Sequence, residues 1–199
     1  MHYNCAALMR PLFTVHAGEY LVGVHLQEKK LNVWIPAKDT GVDLLVTDRD
    51  NCQAVSLQVK YGKDFLYLKP SWRKAMRCQS WFTLDRVKLE KSPAEFWVFV
   101  LPGFESKKPD FVVIPKAELQ RRMTEIPSHD GAKLQTYLCS TKSKRCWETR
   151  GLKISTMNQI VDGTYEDPIR DFTAYLNENG WAAVTEKLSG QLSSLAIAS

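Results

Sequence analysis

The chain has 199 residues, of which 44% are hydrophobic and 25% charged, an average composition that argues against disordered, collagen-like and coiled-coil proteins. Its longest apolar run, Phe96 to Phe104, is interrupted by Pro102 and is too short to cross a bilayer. The N-terminal residues contain neither a cluster of basic residues nor the continuous apolar segment of a secretory signal. We therefore expect a cytoplasmic protein that does not enter membranes.

The spacing of the cysteines and the distribution of charge along the chain indicate the redox state of the thiols and the kind of partner. The five cysteines are widely spaced and form no C-x-x-C pair, so we expect reduced, mostly buried thiols. Nine basic and three acidic residues lie between Lys60 and Lys91, whereas six acidic and two basic residues follow from Ile160 onward. This asymmetry predicts one surface that faces a polyanion.

The first half of the chain contains helical and strand patterns in alternation. Apolar spacing predicts a helix from Thr14 to Lys29. Three strand-like segments follow, the last two forming a predicted hairpin: Leu31–Pro36, Val42–Thr47 and Ala54–Tyr61. Short helices are expected near Ser71–Cys78 and Phe82–Leu89. The near-continuous apolar runs Glu95–Pro102 and Asp110–Pro115 are typical of strands buried on both faces.

The second half continues the mixed pattern. A helix is expected over Lys116–Thr124, then two strands around a basic turn, Lys133–Ser140 and Ser143–Arg150, and a helical segment from Pro168 to Leu188 with a break at Asn179-Gly180. This order predicts an α+β fold with a mixed central sheet flanked by helices. We expect a core over residues 1–125 and a small α/β extension over residues 126–199 packed on it.

Three polar residues of the predicted hairpin could form a site. Asp43 lies on its first strand, and Gln58 and Lys60, two residues apart, share one face of the second. A carboxylate and an amide oxygen, completed by the backbone carbonyl of Val59, suit a hard cation such as Mg²⁺ or Mn²⁺. Lys60 could then activate a water molecule or stabilise the charge on a scissile phosphate.

These residues resemble the PD-(D/E)XK nuclease superfamily, in the QxK variant of Mrr-type and Holliday-junction-resolvase-like endonucleases. The resemblance runs from Thr14 to Glu118 and implies a restriction-endonuclease-like core. It makes Asp43, Gln58, Lys60 and Glu19 of the first helix catalytic, with Glu19, Asp43, Gln58 and Val59 on the metal. The implied activity is metal-dependent DNA cleavage, in DNA repair or in defence against foreign DNA.

Two departures from the family pattern leave alternatives open. Val42 replaces the proline that precedes the family's aspartate, and Gln58 replaces an acidic residue, which removes a formal charge from the metal site. A catalytically inactive scaffold that binds protein or nucleic acid is therefore a second hypothesis. In a third interpretation, Asp43 only caps a turn and Lys60 is a solvated strand end.

Basic residues beside aromatic ones predict DNA contacts in two stretches. The residues concerned are Lys63, Trp72, Arg73, Lys74 and Arg77, and then Lys142, Lys144 and Arg145. Cations neutralise phosphates and aromatic rings stack on exposed bases, which suits branched, frayed or single-stranded DNA. Because cutting two strands takes two sites, we expect a homodimer. No glycine-rich phosphate loop, serine-hydrolase elbow or dinucleotide fingerprint is present.

Overall fold

The computed structural model describes residues 16–37, 41–64, 70–103, 108–127 and 132–190. Its α-helices are α1 (Ala17–Glu28), α2 (Pro70–Arg73), α3 (Arg86–Lys91), α4 (Lys116–Glu125), α5 (Ile154–Asp162) and α6 (Glu178–Leu188), with one 3₁₀ turn at Thr173–Tyr175. Helix α1 lies within the predicted helix, whose expected start at Thr14 falls outside the described residues. Its first turn is capped by Glu19, whose carboxylate accepts the His16 backbone N–H at 3.0 Å.

Nine strands are described, and five of them form the first sheet. The strands are β1 (Asn32–Trp34), β2 (Leu44–Thr47), β3 (Ala54–Tyr61), β4 (Lys63–Asp64), β5 (Met76–Asp85), β6 (Phe96–Leu101), β7 (Asp110–Pro115), β8 (Lys133–Thr141) and β9 (Cys146–Glu148). The first sheet has the order β1-β2-β3-β6-β7. Strand β3 pairs antiparallel with β2 and parallel with β6. The sheet is therefore mixed and flanked by helices, which confirms the predicted fold class.

A second, antiparallel sheet has the order β4-β5-β8-β9. Strands β5 and β8 pair along their lengths, and Asp85 lies opposite Lys133 at one end. Strand β8 belongs to the segment predicted as a C-terminal extension, so this pairing joins that segment to the preceding part of the chain. Strand β4 covers two residues of β5, and no other strand among the described residues pairs with that side of β5.

Strands β6 and β7 form the centre of the protein because both of their faces are buried. Val98 and Val113 pack with α1 and α6 in one apolar cluster, whereas Phe99 and Ile114 pack with α4 and with the second sheet in another. Side chains alternate between the two faces of a strand, so a continuous apolar run supplies both layers at once. The prediction of two strands buried on both faces is confirmed.

Two sequence expectations were wrong in the middle and at the end of the chain. The region predicted as two short helices is largely the ten-residue strand β5, and α3 begins only at Arg86. The period-two alternation of buried Met76, Cys78 and Phe82 with more exposed residues is the signal that indicates a strand. The break expected at Asn179-Gly180 falls inside α6, and α5 had not been expected.

Gly180 allows α6 to pack against the end of β7. A Cβ at this position would lie 2.2 Å from the Tyr175 carbonyl oxygen and 2.9 Å from that of Val113. Asn177 fixes the same junction, because its backbone N–H donates to Phe111 O at 2.7 Å and its side-chain oxygen accepts from Phe111 N at 2.8 Å. The first turn of the helix therefore approaches the strand backbone too closely for any side chain.

We expect Gly180→Ala to lower the free energy of unfolding by about 1–3 kcal/mol, because backbone must shift to admit the methyl group. Gly23→Ala is the matched control, since Gly23 is also helical and a Cβ there meets only Val33 Cγ1, at 4.0 Å. Alanine favours a helix over glycine by up to about 1 kcal/mol, so this control should be neutral or stabilising. Urea denaturation measures both, and equal stability of the two variants would contradict the close approach.

Candidate functional site

The hairpin of β2 and β3 brings Asp43 and Gln58 into direct contact. Asp43 precedes β2, and its backbone N–H donates to Leu57 O at 2.9 Å. Its carboxylate oxygen Oδ2 accepts a hydrogen bond from Gln58 Nε2 and another, of 2.7 Å, from the Val59 backbone N–H. The carboxylate is thus fixed against the middle of β3 by two N–H donors.

Gln58 and Lys60 lie on the same face of β3, as the sequence predicts, and Trp97 of β6 lies beside them. Trp97 is the register partner of Gln58, and Lys60 Nζ is 5.4 Å from the centre of the Trp97 ring system, within the range of a cation–π contact. Trp97 is only 2% exposed, and its indole N–H has no acceptor among the described residues. A buried donor of this kind is costly unless a ligand or water accepts its proton.

A cavity of about 620 Å³ opens over this face of β3. Gln58, Lys60 and Trp97 line it from the first sheet, and Thr83 and Asp85 line it from the edge of the second sheet. Asp43 adjoins the cavity through its hydrogen bond to Gln58. The packing of one sheet on the other therefore creates the space, and the hairpin provides the polar groups of one wall.

Lysines dominate the charge of this cavity. Lys88 and Lys91 of α3 and Lys133 of β8 join Lys60 in its lining, and Asp85 is the one acidic residue there among those described. Lys88, Lys91 and Lys133 are exposed, so their ammonium groups reach solvent beside the opening. Such a concentration of positive charge attracts a polyanion and raises its local concentration. The charge of this lining therefore favours an anionic ligand.

Glu19, the fourth residue predicted to be catalytic, lies on the other side of β3. It is 9% exposed, and no hydrogen bond or ion pair joins it to Asp43, Gln58 or Lys60 in the described part of the chain. Its neighbour Gly18 packs directly on β3, where a Cβ would lie 2.9 Å from Tyr61 Cβ. Glu19 is therefore carried by a helix that contacts β3, while its carboxylate caps that helix.

The first predicted DNA-binding stretch is divided by the fold. Trp72 is 8% exposed and donates its indole N–H to Asn158 Oδ1 at 2.8 Å within an apolar cluster. Arg73 and Lys74 are exposed, whereas Arg77 forms an ion pair of 2.8 Å with the buried Asp110. Lys63 begins β4, and its side chain falls outside the described part of the structure.

The second predicted DNA-binding stretch is the turn between β8 and β9. Lys142 and Lys144 are exposed there and line a cavity of about 390 Å³ together with Arg77. Arg145 pairs with Asp171 at 2.9 Å and lies 4.5 Å from the Trp147 ring centre. Residues of both predicted basic stretches thus meet, at the end of β5 away from Asp85.

The donor groups of the hairpin fit one divalent cation that keeps most of its water. Mg²⁺ takes oxygen ligands and binds through one or two carboxylates plus substrate phosphates. Asp43 supplies a carboxylate, and rotation of the Gln58 amide would present its oxygen where Nε2 now contacts Asp43. The described residues contain no cluster of three or more His, Cys, Asp or Glu side chains placed to hold a metal ion. Phosphate oxygens would have to complete the coordination.

Among the cavity residues that were not predicted as site residues are three lysines and a tryptophan: Lys88, Lys91, Lys133 and Trp97. The excess of basic residues between Lys60 and Lys91 signalled the first two, although it did not separate them from the other lysines. Trp97 was expected only as a core residue of a buried strand. Lys133 is distant in sequence, and only the pairing of β5 with β8 brings it to the cavity.

Three buried cysteines are unsuited to nucleophilic chemistry. Cys78, Cys139 and Cys146 are each 0% exposed. Burial raises the pKa of the Cys78 thiol to about 12, and burial likewise raises the pKa of Cys139 and Cys146 above the usual range. A thiol without thiolate character is a poor nucleophile. The prediction that most cysteines are buried is confirmed for these three, whereas Cys52 is exposed and Cys5 lies outside the described residues.

We expect iodoacetamide to alkylate Cys52 in the native protein and to leave Cys78, Cys139 and Cys146 unmodified until urea unfolds the chain. Only the thiolate reacts, and burial keeps these three thiols protonated near neutral pH. Peptide mass spectrometry of a Cys5→Ser variant locates each modified residue. Labelling of Cys139 or Cys146 at the rate of Cys52 in the folded protein would contradict the structure.

Comparisons with known proteins identify no relative: no family model, curated protein or solved structure matches the chain. Among the helices of the described residues, none is sufficiently long and apolar to cross a membrane. The function of the cavity is therefore inferred from its own side chains alone.

Proposed function

We propose that the protein is a divalent-metal-dependent DNA endonuclease whose active site is the lysine-lined cavity beside β3. One observation carries the proposal. Asp43 is hydrogen-bonded to Gln58, and Gln58 and Lys60 line a cavity together with three further lysines and with Trp97, whose buried indole N–H has no acceptor among the described residues. A cation-binding pair next to several phosphate-binding groups is the combination that phosphodiester hydrolysis uses.

Each residue has a definite part in this reaction. Asp43 and Gln58 would hold the cation, which supplies Lewis-acid polarisation of the phosphate and a more acidic bound water. Lys60 donates to a non-bridging phosphate oxygen and stabilises the negative charge that grows there as a water oxygen bonds to phosphorus. The P–O ester bond then breaks. The attacking water releases a proton to solvent, and the departing oxygen takes up a proton from solvent to become an alcohol.

The remaining lysines position the strand without taking part in the chemistry. Lys88 and Lys91 project from one short helix and Lys133 from the neighbouring sheet, so they can contact phosphates on both sides of the bond that breaks. Bound DNA phosphates would also reduce the repulsion between the cavity lysines and a metal cation. A cavity this basic repels a cation, and a bound phosphate chain lowers that repulsion, so we expect metal and DNA to bind together.

The order of elements supports the family resemblance on which the nuclease proposal also draws. A helix that carries Glu19 precedes the hairpin with Asp43 and Gln58-Val59-Lys60, and two strands buried on both faces follow. Helix α1 packs on β3 itself. Cutting both strands of a duplex takes two such sites, which a homodimer would supply, and a role in repair or defence follows only from the resemblance.

A catalytically silent nucleic-acid-binding module is the second candidate, and one observation favours it. Asp43 Oδ2 already accepts hydrogen bonds from Gln58 Nε2 and Val59 N, and the described residues contain no group of three or more His, Cys, Asp or Glu side chains that could hold a metal ion. Such a site could bind phosphates through its lysines and hold no metal. The two candidates differ in metal binding and in cleavage.

We expect the protein to cut single-stranded circular DNA or supercoiled plasmid in Mg²⁺ or Mn²⁺. Lys60→Ala should lower the rate by about 10²–10³-fold, the usual effect of removing one group that stabilises transition-state charge, and Asp43→Asn should abolish metal-dependent cutting. Lys153→Ala is the control, because this exposed lysine precedes α5 and does not line the cavity. Gel electrophoresis of the products measures each rate.

Circular dichroism checks that every variant remains folded. Cutting by wild type and by Lys153→Ala, together with its loss in both site variants, supports the nuclease. Intact DNA with folded wild-type protein in both metals overturns it and favours the silent module.

We also expect the lysines of the cavity to set the salt dependence of binding. On single strands, each phosphate contact contributes about 0.7 to the slope of log affinity against log salt concentration, so Lys88→Gln with Lys91→Gln should reduce that slope by about 1.4. Fluorescence anisotropy in EDTA at several salt concentrations measures it, with Lys153→Gln as the control. An unchanged slope in the double variant would place the phosphates elsewhere.

A further inference from the structure

A second, smaller cavity adjoins the lysine-lined cavity and has a different character. Its volume is about 240 Å³, and Tyr61, Trp81 and Phe82 line it. Lys60 and Thr83 line both cavities. The two cavities therefore meet at the proposed catalytic lysine. Four lysines line the larger one, and most of the lining of the smaller one is aromatic.

The aromatic side chains of this second cavity are exposed, although the residues next to them are buried. Tyr61 is 50% and Trp81 38% exposed, whereas Phe82 is 4% exposed and belongs to the core. Along β5, Phe82 packs in the core against Phe99, whereas Trp81 and Thr83 are exposed and line this cavity. Folding does not require these two rings to be covered, and their surfaces remain available to a ligand.

From this juxtaposition we infer that the second cavity binds an unpaired nucleobase of the DNA strand, stacked on Trp81, while the adjoining phosphates occupy the lysine-lined cavity. The inference rests on the proposed function and specifies its substrate class as single-stranded or frayed DNA. A nucleotide joins a flat aromatic base to an anionic phosphate. The aromatic cavity matches the base, and the adjoining lysine-lined cavity matches the phosphate.

The pairing state of the substrate follows from the geometry of stacking. In a duplex, each base is stacked on its neighbours and its flat faces are covered, so an indole ring cannot lie against it unless the base leaves the helix. A single strand exposes those faces. Stacking on aromatic side chains, combined with a cationic groove along the backbone, is the usual way in which proteins hold unpaired strands.

The structure replaces one predicted aromatic contact with another. The sequence favoured Trp72 as the stacking residue, and Trp72 is packed in a core cluster with its N–H bonded to Asn158. Trp81 lies on the exposed face of β5, next to the lysine that the chemistry requires. Thr83, on the same face, adds a hydroxyl that can bond to the edge of a base or to a sugar.

The test measures binding without cleavage. A fluorescein-labelled oligothymidine strand and a blunt duplex of equal length are titrated with the protein in EDTA, so that no metal-dependent cutting occurs. We expect wild type to bind the single strand more tightly than the duplex. Trp81→Ala should weaken single-strand binding by about 5- to 150-fold, the effect of losing one stacked base, and Trp81→Phe should retain most of the affinity.

Trp34→Ala is the matched control, because Trp34 is also exposed, at 52%, but lies on β1 at the outer edge of the first sheet. Its removal should leave single-strand affinity unchanged. Equal binding by Trp81→Ala and wild type, or equal affinity for strand and duplex, overturns the inference. The binding test runs in EDTA, so its result does not depend on cleavage. If the protein binds single strands through Trp81 but never cuts DNA, only the proposed nuclease activity is wrong, and the base-stacking inference stands.

Discussion

The hydrogen bonds accepted by Asp43 fix the geometry on which the rest of the site depends. Its carboxylate joins the start of β2 to the middle of β3 through the Val59 N–H and the Gln58 amide. That register determines which residues of β3 face α1 and which face the cavity. A shift of one residue would exchange the two faces, so that Val59 and Tyr61 would line the cavity in place of Gln58 and Lys60.

The second sheet packs against the first and encloses the cavity beside this hairpin. The buried strands β6 and β7 hold α1 and α6 on one side and the second sheet on the other. The second sheet brings Lys133 and Trp81 beside Lys60, although none of these residues is close to another in sequence. The substrate groups that we propose, a phosphate chain and an unpaired base, follow from the side chains that meet along this edge.

Much of the first sheet could be predicted from the sequence, because apolar alternation and the Gln58-Val59-Lys60 spacing are local signals. The second sheet could not be predicted as readily. Strand β5 mixes Arg77, Trp81 and Thr83 with its buried residues, and these more exposed residues resemble the polar surface of a helix although the alternation is present. The cavity lysines depend on strand pairing across long sequence separations, and composition alone does not distinguish them from solvated lysines.

The most direct test of the central claim is the position of a bound metal ion. Mn²⁺ broadens the NMR signals of nearby protons, and Gln58 Nε2 and Val59 N carry protons that contact the Asp43 carboxylate. With a cleavage-resistant phosphorothioate strand bound, the account predicts that Mn²⁺ selectively broadens these two signals in wild type and not in Asp43→Asn. Sharp signals from both groups in wild type at saturating Mn²⁺ would contradict a metal-dependent nuclease site at this hairpin.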